Sequence, residues 1–153
     1  MQTDDRLGTF DEIAALFPSE SARIATALRS LIVSLDGDTF EVPRLGEKAT
    51  TYGVGPSKMK QAYCYIMPQR GYVNLGFFHG ARLADPAKTL GTGKSILHVK
   101  VRSEPDVART ELSELVRAAI AERRDVKAMA EESMEAPPVA VTPATAGFVR
   151  VPR

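Results

Sequence analysis

Six side chains in the middle of the chain have the chemistry to hold a ligand: Tyr63, Tyr65 and Tyr72, with Lys94, His98 and Lys100. Aromatic rings offer flat faces on which a base or a planar anion stacks, and cations beside them supply charge. Tyr63 and Tyr65 are two residues apart, as are His98 and Lys100, so in extended strands each pair shares one face. Phe78 extends the aromatic set. The chemistry that fits is non-enzymatic capture of a small anionic ligand on an open sheet face, with nucleic acid not favoured. The competing reading makes the same rings a second small core, covered by residues 79–96 or by another copy of the chain in a homodimer.

Other constellations carry less. Gly91-Thr92-Gly93-Lys94-Ser95 invites a phosphate-loop reading, but position 88 is Lys where that motif needs Gly, and a strand follows where it needs a helix. A tight turn, with Lys94 aimed at a neighbour or an anion, is the simpler reading. His79 and His98, the only histidines, fall on different elements without metal-ligand spacing. Cys64 falls on an apolar face, where a free cysteine behaves as a small hydrophobe. No catalytic residue and no resident cofactor is assigned. Asp4, Asp5, Asp11, Glu12 and Glu20 gather in the first helical region. Asp11 and Glu12 are the candidates for weak iron binding through oxygen ligands, against a solvated helix face with acids near helix N-termini.

The elements that must position these groups follow from periodicity. Thr9 is a candidate N-cap for a short helix from Phe10 to Phe17, which Pro18 ends. Ser19 caps a longer helix to about Leu35, with Ile24, Leu28, Leu31, Ile32 and Leu35 as its apolar stripe. Thr39–Val42 reads as a strand that Pro43 sends to a sheet edge, and Ala49–Tyr52 as another. Gln61–Met67 and Tyr72–Phe78 read as a hairpin about the turn Pro68-Gln69-Arg70-Gly71. Its register pairs Ile66 with Val73, Cys64 with Leu75 and Ala62 with Phe77. These six face a core, and Tyr63, Tyr65, Tyr72, Asn74 and Phe78 face away. Leu97–Val101 alternates in the same way, with His98 and Lys100 outward. Ser103 is expected to start the last helix, whose stripe is Leu112, Leu115, Val116, Ala119 and Ile120. The expected fold is a two-layer α+β sandwich, an antiparallel sheet backed by the N- and C-terminal helices. It spans residues 9–130, with 131–153 a Pro/Ala-rich mobile tail.

A chain of 153 residues, 44% hydrophobic and 25% charged, suits one globular domain. No apolar run approaches the roughly 20 residues of a membrane span. The acidic N-terminus lacks the apolar core of a signal peptide. A single cysteine excludes an internal disulfide, and a cytoplasmic location is the default. The net charge of +1 conceals a strong asymmetry. Residues 42–102 hold ten Lys/Arg against two Asp/Glu, while residues 1–41 hold three against eight and residues 103–136 five against nine. A basic middle between acidic flanks bears on partners rather than on fold.

Four segments, Leu75-Gly76-Phe77-Phe78-His79-Gly80-Ala81, Leu83-Ala84-Asp85-Pro86, Leu90-Gly91-Thr92-Gly93-Lys94 and His98-Val99-Lys100, together resemble the signature of the YdhG-like domain family. The resemblance covers roughly residues 10–125. It implies a bacterial cytoplasmic α+β domain of frataxin-like architecture, its sheet backed by an N- and a C-terminal helix. It also implies iron handling as an alternative function, in the manner of an iron chaperone.

Overall fold

The computed structural model describes residues 1–85, 90 and 95–135. Its frame is a six-stranded sheet whose strands lie side by side in chain order: β1 (Gln2–Thr3), β2 (Phe40–Arg44), β3 (Ala49–Gly53), β4 (Ala62–Pro68), β5 (Val73–Phe77) and β6 (Leu97–Val101). β1 runs parallel to β2 and every other neighbouring pair is antiparallel. The α-helices among the described residues are α1 (Phe10–Ala14), α2 (Ser19–Leu35), α3 (Lys58–Gln61) and α4 (Thr110–Glu135). This is the α+β class expected, with a mixed sheet in place of a purely antiparallel one. No helix among the described residues is long and apolar enough to cross a membrane.

Alternation sorts the strands. Tyr52, Cys64, Ile66, Val73, Leu75, Phe77, Leu97, Val99 and Val101 enter one core with Ile24, Ala25, Leu28 and Ile32 of α2 and Leu112, Leu115, Val116 and Ala119 of α4. The two long helices therefore lie on one face of the sheet, as their stripes require. Ser21 ties α2 to the hairpin: its hydroxyl donates to the Gln69 carbonyl (2.6 Å) and accepts the Gly71 amide (3.3 Å). Gly71 takes φ +90°, a conformation that favours glycine.

Several local expectations need correction. α1 ends at Ala14, short of Phe17, while Thr9 and Glu12 form a full capping box at its start. Pro43 does not place β2 at the edge, because β1 pairs with Phe40 and Glu41. It lies beyond the end of that two-residue neighbour, where a missing N–H on that side costs nothing. The hairpin slips by two residues: Cys64 opposes Phe77, Ile66 opposes Leu75 and Pro68 opposes Val73. A slip of two preserves the faces but extends β4 through Pro68 and moves the turn to residues 69–72. Ser103 does not start the last helix. Pro105–Ala108 forms a separate 3₁₀ turn, Arg109 is extended, and α4 begins at Thr110. The sheet also reaches back to Gln2 and α4 reaches Glu135, both outside residues 9–130. The tail 136–153 lies outside the described residues.

The inner face is not wholly apolar. Glu41 is fully buried and accepts two hydrogen bonds from Arg29 of α2 (2.6 and 2.8 Å), one from the Tyr52 hydroxyl (2.8 Å) and one from the Thr3 hydroxyl (3.2 Å). Four donors on one carboxylate are what its burial demands. Arg29 in turn stacks over Phe10 at 4.8 Å. The pair thereby couples β1, α1, α2 and β3.

Candidate functional site

Tyr63 leaves the outward set. The pairing of β3 with β4 shifts between Tyr52 and Gly53: Tyr52 opposes Cys64, yet Gly53 opposes Ala62. Tyr63 is the extra residue of this bulge, and a bulge re-aims the side chain it carries. The ring turns to the helix side and joins the core. Its hydroxyl donates to Asp36 at the end of α2 (2.9 Å) and pairs with Thr39 (2.6 Å). Arg124 of α4 holds the other Asp36 oxygen. Burial pushes the Tyr63 phenol far above its ordinary range. Tyr63 is therefore a structural post, and strict alternation fails at that one position.

Tyr65 keeps its outward place. The open face carries a row across five strands, Val42–Thr51–Tyr65–Gly76–His98, each residue the register partner of the next. A β-carbon on Gly76 would fall inside the Tyr65 ring, so the ring lies across β5 in the space glycine leaves. Phe78 meets it at 5.2 Å and 58°. Partial burial raises the Tyr65 phenol. Tyr65, Met67, Phe78 and Ile96 wall a small cavity of about 170 Å³, whose rim holds the Lys58–Glu47 ion pair.

The next row is Met67–Asn74–Lys100. His98 and Lys100 are exposed, as the alternation of β6 requires. Asn74 Oδ1 is enclosed and has no hydrogen-bond partner among the described residues. Tyr72 stands at the hairpin end with the Lys100 ammonium 5.0 Å and the Arg102 guanidinium 5.8 Å from its ring centre. Its face is thus already used by two cations. Arg102 escaped the sequence reading, although it continues the two-residue spacing of His98 and Lys100. Lys94, the glycine turn around it and Lys88 lie outside the described residues. His79 sits apart from this face, with Nε2 3.0 Å from the Met59 carbonyl.

The iron candidates diverge. Glu12 is spent on the capping box, where its Oε1 accepts the Thr9 amide at 2.9 Å, and Asp11 is exposed on the same turn. Among the described residues no cluster of three or more His, Cys, Asp or Glu is placed to hold a metal ion. Cys64 is fully buried and burial raises its thiol well above the ordinary value, so it is neither nucleophile nor ligand.

No protein-family model, curated protein or solved structure matches this chain. The site is accordingly defined by its own geometry: the sheet face away from the two long helices, with the Tyr65 ring laid over Gly76 of β5, Phe78 beside it, and exposed cations on β6, the strand next to β5.

Proposed function

We propose that this protein is a non-enzymatic binding module for a small planar anion, held on the open face of its sheet. Membership of the YdhG-like group is part of the same proposal. The observation that carries it is the placement of exposed His98 and Lys100 on β6, beside a ring that Gly76 allows to lie flat. One strand separates Tyr65 from β6, so His98 stands about 10 Å away across glycine alone. A ligand stacked on Tyr65 meets positive charge at its edge. The cavity of about 170 Å³ is smaller than the roughly 300–1,000 Å³ that drug-sized ligands occupy. The ligand is therefore of single-ring size.

Phenyl phosphate is the probe. Followed by amide and methionine-methyl NMR, it is expected to shift Met67, Gly76 and the β6 amides in a saturable way. Absence of those shifts, or shifts confined to the opposite side of the sheet, overturns the proposal. Self-association that buries the same face, seen by sedimentation, overturns it in favour of a dimer interface.

A further inference from the structure

The other side of the molecule carries a groove of about 780 Å³ between α4 and the segment 54–61. The segment is pinned to its surroundings by three side chains, each with a nitrogen at a backbone carbonyl. Arg123 Nη1 reaches Lys60 O (2.9 Å), His79 Nε2 lies 3.0 Å from Met59 O, and Lys127 Nζ reaches Val54 O (3.4 Å). The contacts at Met59 and Lys60 satisfy carbonyls that so short a helix as α3 leaves open. The contacts from Arg123 and Lys127 also fix the two walls relative to each other before any ligand arrives, which lowers the cost of binding.

We infer that this groove is a second binding site, for an amphipathic carboxylate: a flexible apolar chain with an acidic head. The walls are apolar, with Val54 buried at the base and Met59, Val126 and Met134 exposed along it. Exposed methionines adapt to varied apolar chains. The α4 stretch from Arg123 to Met134 spans about 16 Å at 1.5 Å per residue, which suits an extended chain rather than a compact ring. Charge selects the head. Lys60, Arg82 and Lys127 line the groove against one acid, Glu131. Arg123 is already committed, held by Glu122 at 2.6 and 2.7 Å. Lys60 and Arg82 are free to engage: Lys60 Nζ has no partner among the described residues, and Arg82 reaches Glu122 only at 3.4 Å. The volume falls within the roughly 300–1,000 Å³ of small-molecule sites. This site shares no residue with the open sheet face.

Methionine-methyl NMR tests it directly, because the five methionines at 1, 59, 67, 129 and 134 report on different surfaces. Decanoate, kept below its micelle concentration, is expected to shift Met59 and Met134 in a saturable way while Met1 and Met67 stay still. Decyltrimethylammonium, with the same chain and the opposite charge, is expected to bind at least about tenfold more weakly. Lys60→Glu, which breaks no contact among the described residues, is expected to weaken decanoate roughly fivefold, the scale of one partly screened charge contact. Still resonances at Met59 and Met134, equal shifts at Met67, equal binding of the cation, or undiminished affinity in Lys60→Glu each overturn the inference.

Discussion

The ring of Tyr65 occupies the place where a side chain at Gly76 would stand. The two are register partners on adjacent strands, so the aromatic residue fills its neighbour's missing volume. Gly76→Ala should therefore cost about 1–3 kcal/mol through overpacking. In a Tyr65→Ala background the same substitution should be close to neutral. A double-mutant cycle by urea denaturation measures the coupling, expected at about 1–3 kcal/mol. Strict additivity would mean that the ring does not rest on the glycine.

Glu41 and Arg29 form the second linked pair. Glu41→Ala leaves the buried Tyr52 hydroxyl and the partly exposed Arg29 guanidinium without their acceptor. Leaving such groups unpaired costs about 1–3 kcal/mol. Glu41→Gln keeps the shape and two of the acceptor lone pairs, and should cost clearly less. Thermal and denaturant unfolding of the two variants checks the order.

Acid sensitivity should have an identifiable source in Glu122. The Arg123 guanidinium bonded to it holds its carboxyl below the ordinary value, with burial opposing and His79 and Arg82 adding smaller pulls downward. A depressed folded-state value contributes stability above the unfolded value of about 4.3 and loses it as pH falls through the folded one. Glu122→Gln should accordingly flatten the fall in stability between about pH 5 and pH 3, where the linked proton is taken up. An unchanged slope would place the acid-sensitive contact elsewhere.

The sequence disclosed the architecture wherever one rule acted alone. The α2 stripe, the alternation of β6 and the inward set Cys64, Ile66, Leu75 and Phe77 were all legible, because period and burial agree there. The failures occur where a longer-range effect intervened. Tyr63 obeys a bulge rather than alternation, and nothing in its immediate neighbours marks the extra residue. The hairpin slipped by two because parity fixes a face and leaves the partner free. β1 is two residues long, too short to show a pattern. The 54–61 groove was invisible for a different reason. Its cations sit 40 to 73 residues from the groups they meet on other elements, and only folding brings them together.

Capture of a small planar anion on the open sheet face is decided by calorimetric titration with phenyl phosphate at several salt concentrations. Wild type should bind, with affinity falling as salt rises, because charge contacts near a surface are screened over roughly 8–10 Å. Lys100→Ala should bind roughly fivefold more weakly with a shallower salt dependence, and Tyr65→Leu should lose the stacking contribution of about 1–3 kcal/mol. No binding by wild type, or equal affinity and equal salt dependence in Lys100→Ala, would contradict it.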